Sequence, residues 1–204
     1  MSKKKLPLNV IWFDGQVTPE ERAALLKQQS ITVWFTGLSA SGKSTLAFAL
    51  ERRLIDMGYF CYVLDGDNVR HGLNKDLAFS EKDRFENIRR VAEVSKLMNE
   101  AGLIVITSFI SPSKQDRSLA KDIIGSDKFI EIYMNAPIVV CEKRDPKGMY
   151  LKARLGQITD FTGVNSPYEA PDCPFLSIDS SISSIDDSVN LLINSLKLKM
   201  SGIY

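Results

Sequence analysis

Histidine and cysteine are scarce in this chain of 204 residues, which contains one histidine, His71, and three cysteines, Cys61, Cys141 and Cys173. A single histidine provides no cluster of imidazole ligands for a metal ion. The cysteines lie far apart and show no Cys-x-x-Cys spacing, which argues against a disulfide framework and against a thiolate metal site. The sequence therefore predicts a reduced protein with a cytoplasmic location.

Neither an excess of one charge nor a long apolar run is present. The 26 Lys and Arg residues are balanced by 25 Asp and Glu residues, for a formal net charge of +1. A general nucleic-acid binder relies on many phosphate contacts, so this balance argues against one and leaves room only for a local basic pocket. No apolar run is long enough to cross a bilayer, and the basic start at residues 3–5 is followed by no apolar stretch typical of a secretory signal. We therefore expect no nucleic-acid partner and no membrane partner.

The chain does contain a regular alternation of strand-like and helix-like segments from Ile31 onward. Short β-branched and aromatic runs are separated by amphipathic stretches, and this pattern predicts an α/β fold, a three-layer sandwich around a five-stranded parallel sheet. Ligands in such folds bind at the carboxyl ends of the strands. The predicted strands lie at 31–35, 59–64, 103–107, 129–134 and 176–178, and helices lie between and after them.

The chain divides into an N-terminal extension, residues 1–30, and a main domain, residues 31–204. Within the extension, an Asp-Gly pair favours a tight turn, so a small hairpin is predicted for Val10–Thr18. A proline directly after Thr18 then predicts the start of a short helix that ends at about Gln29. In the main domain, the stretch 145–174 is rich in glycine, proline and charge and predicts a mobile lid.

A glycine-rich turn between the first strand and the following helix fits the pattern G-x-x-x-x-G-K-[ST] at every fixed position. Its glycines let backbone N–H groups turn toward phosphate oxygens, and the helix start adds a positive dipole end. The lysine of such a P-loop reaches the β- and γ-phosphates, and the final hydroxyl binds Mg²⁺. The turn thus predicts a site for a nucleoside triphosphate with magnesium. The predicted nucleotide-binding residues here are Gly37, Leu38, Ser39, Ala40, Ser41, Gly42, Lys43, Ser44 and Thr45.

Two aspartates, Asp65 and Asp67, flank a glycine at the end of the second predicted strand, beside the P-loop. Such a pair can hold magnesium-bound water and accept a proton from an attacking hydroxyl. The alternative is a simple turn built from Asp and Gly. The base-reading motif of a GTPase is not matched, since Asn74-Lys75-Asp76-Leu77 fails at its fourth position.

A cluster of polar residues on the next helix suggests an anion clamp. Arg84 and Asn87 lie about 60° apart around the helix axis, at the border of its apolar stripe, where a cleft would lie. Together with Arg70 they could hold an anionic group, and each charge-assisted hydrogen bond to it contributes roughly 1.5–3 kcal/mol. The alternative is a solvated helix face on which these arginines pair with neighbouring acidic residues.

Further segments extend these motifs into a longer pattern. They are Trp34–Ser39, Leu64–Asn74, Glu86–Arg90, Thr107–Pro112, Arg144–Gly148, Phe161–Gly163 and Tyr168–Pro171. Together, and in this order, they closely resemble adenylyl-sulfate kinases (APS kinases), and the resemblance covers about Asn9 to Ile178. It implies a P-loop kinase that transfers the γ-phosphate of MgATP to the 3′-hydroxyl of adenylyl sulfate. It also implies a cytosolic homodimer that works in sulfate assimilation.

The resemblance further implies roles for single residues. Lys43, Asp65 and Asp67 match catalytic positions, with Ser44 and, through water, Asp67 at the metal, and which aspartate is the base stays open. Ser111 matches a phosphoserine intermediate of bacterial members, although direct in-line transfer needs only a positioned hydroxyl. Arg144 matches an ATP contact. The residues that match contacts to adenylyl sulfate are Asp67, Arg70, Phe79, Arg84, Asn87, Ile110, Ser111, Lys147 and Phe161.

Three of these positions carry an explicit alternative or condition. Phe79 and Phe161 match two aromatic rings that enclose the acceptor adenine, whereas the alternative for each ring is core packing. Ala40 stands where the family usually has a further glycine, which implies a modest conformational cost if its φ is negative and a larger one if φ is positive.

Two other functions stay open at this point. One is another small-molecule P-loop kinase, with a nucleoside, shikimate or gluconate as acceptor, although the two phenylalanines favour a purine. The other is a nucleotide-binding module without catalysis, against which the intact Lys43, Ser44 and aspartate pair argue.

Overall fold

The computed structural model describes residues 9–11, 13 and 15–201 of the chain. Its five strands are all parallel and lie side by side in the order β2-β3-β1-β4-β5. This confirms the predicted α/β fold and the five-stranded sheet. The strands are β1 (Thr32–Thr36), β2 (Cys61–Asp65), β3 (Ile104–Ser108), β4 (Phe129–Met134) and β5 (Leu176–Ile178).

Serine caps explain where several helices begin. Ser80, Ser113 and Ser184 each accept a hydrogen bond from the backbone N–H three residues later, which satisfies a donor that the first helical turn leaves unpaired. The helices are α1 (Pro19–Leu26), α2 (Lys43–Asp56), α3 (Glu81–Glu100), α4 (Lys114–Ile124), α5 (Ile138–Arg144), α6 (Met149–Arg154) and α7 (Ile185–Met200).

Helices cover both faces of the sheet, and β1 shows how the sequence produces this. Successive side chains of a strand point to opposite faces. Val33 and Phe35 pack with buried residues of α2 and α7, whereas Trp34 packs with buried residues of α3 and α4. Every residue of β1 and β3 is buried, as expected of parallel strands that are covered on both sides. The result is the predicted three-layer sandwich.

The N-terminal extension differs in part from its prediction. Trp12 and Asp14, which the predicted hairpin needs, lie outside the described residues, and no described residue between 9 and 18 belongs to a strand. Ile11 and Phe13 are 85% and 91% exposed, so this stretch has no surface on which to bury one face, and an isolated two-stranded hairpin is marginal in water. In the described part of the chain the hairpin prediction is therefore wrong. The short helix is present as α1, with a capping box between Thr18 and Glu21.

The segment predicted as a lid, residues 145–174, contains α6 as its one helix in the structure and packs onto the P-loop. Tyr150, Ala153 and Phe161 form a small core with Cys141 of α5, and the P-loop residue Leu38 packs against it. The hydroxyl of Tyr150 also donates to the carbonyl of Ser39 at 3.0 Å. The segment therefore packs against the P-loop, while its role as a mobile lid stays a prediction.

No helix in the described part of the chain is both long and apolar enough to span a membrane.

Candidate active site

The P-loop joins the carboxyl end of β1 to the start of α2 in a tightly packed turn. A Cβ atom at Gly37, which has φ +149°, would lie 2.7 Å from the carbonyl oxygen of Met134, so only glycine fits there. Ala40 has φ +58°, which is the left-handed conformation that an L-residue adopts at a cost of roughly 1–2 kcal/mol. Of the two conformational costs predicted for Ala40 from the sequence, the larger one, for a positive φ, therefore applies.

Lys43 is the buried cation of the P-loop. Its Nζ donates to the carbonyl of Leu38 at 2.6 Å, so the side chain folds back over the loop that it serves. Burial lowers the pKa of Lys43 from 10.5 to about 8, while the nearby carboxylates of Asp65 and Asp67 act in the opposite direction. An anion in the loop would favour the charged form and raise this pKa again.

Asp65 joins the P-loop helix to the ends of two strands. One carboxylate oxygen accepts from the hydroxyl of Ser44 at 2.7 Å, and the other accepts from the backbone N–H groups of Asp67 at 3.0 Å and Asn68 at 3.3 Å. The Ser44 hydroxyl also lies 3.0 Å from that of Ser108, at the end of β3. Asp65 thus builds the turn, as the structural alternative predicted, and holds Ser44 at the same time.

Asp67 differs from Asp65 in that its carboxylate is exposed. Its side chain is 68% exposed and forms an ion pair with Lys147, which follows α5 and is 66% exposed. The Asp67 carboxylate raises the pKa of Lys147, which therefore stays protonated at neutral pH. The structure brings the predicted lid lysine and one predicted catalytic carboxylate together.

The oxygens around Ser44 fit a magnesium ion that arrives with a nucleotide. The described residues hold no group of three or more His, Cys, Asp or Glu side chains that could bind a metal without other ligands. Mg²⁺ commonly takes one or two protein ligands and completes its shell with phosphates and water. Ser44, Asp65 and Ser108 supply hard oxygens at this point. The sequence analysis assigned Ser44 and, through water, Asp67 to the metal, whereas in the structure the Ser44 hydroxyl contacts Asp65.

A cavity of about 300 Å³ lies beside the P-loop, between the end of β5 and the start of α7. Arg144 lines it and donates to the hydroxyl and the carbonyl of Ser180, at 2.8 and 2.6 Å. The Ser180 hydroxyl in turn donates to the P-loop carbonyl of Ser41 at 2.8 Å. Thr45 also lines this cavity, so the predicted nucleotide residues from both segments meet there. Sequence reasoning missed Ser180, although its place just after the fifth strand was a usable signal.

The predicted anion clamp is built, but its arginines hold protein groups. Arg84 donates to the carbonyl of Phe79 at 2.9 Å, to the hydroxyl of Thr162 at 3.0 Å and to the carbonyl of Asp160. Arg70 donates to the carbonyls of residues 77 and 78 and lies 4.3 Å from the ring centroid of Phe79. Both guanidinium groups therefore lie around Phe79.

The two predicted adenine-stacking rings lie in different environments. Phe79 is 60% exposed, so the part of its ring that Arg70 does not cover is open to a ligand. Phe161 is 8% exposed and packs edge-on against Tyr150 with ring centroids 4.9 Å apart, which agrees with the core-packing alternative. Arg84 nevertheless contacts the backbone next to both rings, through the carbonyls of Phe79 and Asp160.

The segment after β3 is fixed from several sides. The carbonyl of Ile110 accepts from the hydroxyl of Thr36 at 2.8 Å, and the hydroxyl of Ser111 accepts from the indole N–H of Trp34 at 3.2 Å. Ser111 is 2% exposed. Its carbonyl accepts from Arg117, a buried residue of α4 that sequence reasoning missed because nothing but its helical position marked it. The serine hydroxyl is therefore buried and engaged by Trp34, and the carbonyls of Ile110 and Ser111 are bound by Thr36 and Arg117.

Asn87, the third predicted clamp residue, is buried on α3. Its Oδ1 accepts from Nδ2 of Asn74 at 2.9 Å, a partner that the sequence did not indicate.

Comparison with known proteins decides the family. A family model described as Adenylylsulphate kinase matches residues 29–179. An adenylyl-sulfate kinase from Clostridium acetobutylicum is 54% identical over 178 residues, which cover 87% of this chain and 88% of that protein. The chain belongs to the adenylyl-sulfate kinase family. The resemblance inferred from the motifs is therefore confirmed, and with it the enzyme class, a phosphotransferase with an alcohol group as acceptor.

Other members of the adenylyl-sulfate kinase family agree with this assignment. The enzyme from Vibrio parahaemolyticus is 52% identical to this chain, and the alignment covers 93% of this chain and 92% of that protein. The structure of the Mycobacterium tuberculosis APS kinase in complex with AMPPNP and APS has a TM-score of 0.80, 47% identity, and coverage of 83% of this chain and 98% of that chain. A gluconokinase from Sinorhizobium meliloti, at 14% identity and a TM-score of 0.54, shares the fold alone.

Proposed function

We propose that this adenylyl-sulfate kinase transfers the γ-phosphoryl group of MgATP directly to the 3′-hydroxyl of adenylyl sulfate. One observation supports this most strongly. The P-loop lysine, an open carboxylate and an exposed ring beside two guanidinium groups meet at the carboxyl ends of neighbouring strands. A triphosphate and a purine acceptor could meet there end to end.

On the donor side, the P-loop binds the phosphates of ATP. Lys43 leaves the Leu38 carbonyl and binds a phosphate oxygen, because a triphosphate offers it a full opposite charge in a buried place. Ser44, held by Asp65, would hold Mg²⁺, which supplies positive charge to the phosphates when bound. The cavity lined by Arg144 and Thr45 is the proposed place of the nucleoside.

We assign the role of base to Asp67. Both carboxylate oxygens of Asp65 already accept hydrogen bonds from Ser44 and from the backbone of its own turn. Among the described residues, the Asp67 carboxylate is engaged by the side chain of Lys147, and both side chains are mostly exposed. As the 3′-oxygen bonds to the γ-phosphorus, its proton passes to the Asp67 carboxylate, and the bond between the γ-phosphorus and the bridging oxygen breaks to release ADP.

On the acceptor side, Phe79 stacks on the adenine, and Arg70 and Arg84 supply the positive charge that an anionic acceptor needs. Arg84 currently binds residues 160 and 162 of the lid segment, so acceptor binding and lid position are coupled through this residue. Lys147 lies in the same segment. Lid closure over both ligands would exclude water, which otherwise competes as acceptor.

The alternative of a phosphoserine intermediate on Ser111 has little support from the geometry. The hydroxyl is buried, and it accepts a hydrogen bond from Trp34, so no phosphoryl group can reach it without unpacking Trp34. Replacement of Ser111 by Ala should keep kcat within about threefold, because the segment's backbone contacts remain. Wild-type protein incubated with ATP alone should show no added phosphate on the peptide that contains Ser111, measured by mass spectrometry. A stoichiometric phosphopeptide would contradict direct transfer.

The test of the activity is an acceptor panel. Protein with MgATP is incubated separately with adenylyl sulfate, AMP and gluconate, and ADP formation and product mass are followed. We expect rapid transfer to adenylyl sulfate and at least tenfold slower turnover with the other two, since each lacks the sulfate or the purine. Preferred transfer to gluconate would instead identify a sugar-acid kinase, and tight ATP binding without any turnover would identify a non-catalytic module.

We also propose a cytoplasmic homodimer, as the resemblance implied. The reaction consumes ATP, which favours the cytoplasm. A hexameric APS kinase from Thiobacillus denitrificans, 32% identical over 85% of this chain and 30% of that chain, shows that relatives can assemble. Light scattering coupled to size-exclusion chromatography should give twice the 22.8 kDa chain mass, and a monomer would contradict the proposal.

A further inference from the structure

Asn74 is a fully buried polar residue that the proposed mechanism does not use. It follows the 3₁₀ turn Asn68–His71 and has no exposed surface. Its side chain makes one hydrogen bond, from Nδ2 to Oδ1 of Asn87 at 2.9 Å. Its own Oδ1 is buried without a hydrogen-bond partner among the described residues. An unpaired buried carbonyl is unfavourable, so this placement needs an explanation.

The loop that carries Asn74 is attached to α3 without it. Arg90 donates to the carbonyl of Leu73 at 3.2 Å and pairs with Asp76 at 2.7 Å. Arg70 holds the following carbonyls of residues 77 and 78. These bonds fix the loop on both sides of Asn74. The Asn74–Asn87 bond is therefore not required to dock the loop.

The Asn74–Asn87 bond fixes which end of the Asn87 amide is left free. Since Oδ1 of Asn87 is bound by Asn74, Nδ2 is the group left to donate. This Nδ2 has no hydrogen-bond partner in the described part of the chain, yet it is not one of the buried atoms that lack a partner there, so it keeps some accessible surface although Asn87 is only 5% exposed. The reversed pair would bury an NH₂ group of Asn74 with both hydrogens unpaired, which is less favourable than one unpaired carbonyl.

We propose that Asn74 is a positioning residue for acceptor binding, which holds the Asn87 amide with its Nδ2 toward an acceptor oxygen of adenylyl sulfate. The proposal rests on the proposed function, because it uses Asn87 as an acceptor contact. Asn74 acts only through Asn87 and touches no substrate.

The test compares Asn74→Ala and Asn74→Asp with wild type. Alanine removes the donor and frees the Asn87 amide to rotate. Aspartate can only accept, so Asn87 must turn its Nδ2 inward and present Oδ1 to the ligand. We expect KM and the calorimetric Kd for adenylyl sulfate to rise by about tenfold in the alanine variant and by more in the aspartate variant. KM for ATP should stay within twofold of wild type. In an Asn74→Ala/Asn87→Ala double variant, the Kd should equal that of Asn87→Ala alone.

Asn99→Ala is the matched control. Asn99 is a buried asparagine, 2% exposed, on α3, the helix that also carries Asn87. It forms hydrogen bonds with Thr32, Ile31 and Leu103, away from the cleft. Its loss should lower the unfolding midpoint and leave Kd for adenylyl sulfate unchanged. A Kd unchanged in both Asn74 variants, or additive effects in the double variant, would overturn the proposal while the proposed function stands. Wild-type protein that binds no adenylyl sulfate would overturn both.

Discussion

At the scale of single residues, burial decides which charged groups keep their ordinary chemistry. Lys43 is buried in the P-loop, and burial lowers its pKa to about 8. The pKa of Lys43 in the folded protein lies below 10.5, its ordinary value in an unfolded chain. Between about pH 8 and 10.5 the unfolded chain therefore binds more protons at Lys43 than the folded protein does. Lys43 therefore makes the ligand-free fold less stable below pH 8, and this penalty fades as the pH rises through that window.

ATP binding should consequently take up protons near pH 8. A triphosphate beside Lys43 favours the charged form and raises its pKa, so binding at pH 8 should consume up to about half a proton, and more at pH 9. Calorimetric titration with ATP in buffers of different ionisation enthalpy measures this uptake. Lys147→Met is the control, because the pKa of Lys147 is raised and this lysine is already protonated at pH 8. Binding without proton uptake at pH 8 and 9 would contradict the assigned role of Lys43.

Local spacing determined how much of the site the sequence could predict. The P-loop and the aspartate pair are contiguous motifs whose geometry follows from a strand, a turn and a helix start. The sequence could not distinguish Asp65 from Asp67, because the difference depends on Ser44, which lies on another element. For the same reason it did not show the burial of Phe161 or the contact of Asn74 with Asn87, since both depend on how distant segments pack.

At the scale of elements, Arg117 ties three parts of the site together. It donates at 2.7 Å each to Glu131 of β4, to the carbonyl of Ser111 and to the carbonyl of Glu169 at the end of the lid segment. Arg117 is 4% exposed. The fork of the guanidinium group suits three partners that a lysine could not reach together. Arg117 thus fixes the segment after β3 relative to the lid.

Replacement of Arg117 by Ala should lower the free energy of unfolding by about 3–5 kcal/mol, because it leaves the Glu131 carboxylate and the Glu169 carbonyl without the guanidinium group. The Ser111 carbonyl would keep its longer hydrogen bond from the Thr36 hydroxyl, at 3.3 Å. Urea denaturation measures this loss.

Arg52→Ala is the control, since Arg52 pairs with Asp56 in an exposed i,i+4 arrangement and its loss should change the free energy of unfolding far less than the loss of Arg117. Equal losses in the two variants would show that Arg117 is not the anchor described.

The sequence predicted most element boundaries because they depend on local signals. Ser80, Ser113 and Ser184 cap their helices through hydrogen bonds to the backbone three residues later, a signal that lies within one turn of the chain. The predicted hairpin depended instead on a surface to cover one face, and Ile11 and Phe13 have none. Turn chemistry without burial does not hold two strands together.

At the scale of the whole molecule, the two ends of the sheet have different tasks. The carboxyl ends of β1, β2 and β3 carry the candidate site, whereas the segments that enter β2 and β3 are joined by Gln28, two residues after α1. The Gln28 amide donates to the carbonyls of Phe60 at 2.9 Å and Gly102 at 2.8 Å, and accepts from the N–H of Phe60 at 2.8 Å. Gln28 therefore ties the N-terminal extension to the main domain and contributes to the stability of that domain.

Gln28→Leu should separate stability from activity. The substitution leaves the Gly102 carbonyl and the Phe60 N–H without the Gln28 amide, whereas the Phe60 carbonyl still accepts from the N–H of Ile104 at 3.0 Å. It should lower the free energy of unfolding by at least about 2 kcal/mol. The folded variant should keep wild-type kcat and KM, because the site lies at the opposite end of the sheet. Urea denaturation and steady-state kinetics at low temperature test the two statements. A large loss of kcat in fully folded protein would contradict this separation.

The most direct test of the account is the single-turnover rate of phosphoryl transfer in Asp67→Asn. At saturating MgATP and adenylyl sulfate, quenched-flow measurement of the 3′-phosphorylated product should show a rate at least about a hundredfold below wild type, with ATP affinity unchanged, because the amide cannot accept the hydroxyl proton. Transfer at the wild-type rate would show that Asp67 is not the base and would contradict the proposed meeting of donor and acceptor at this carboxylate.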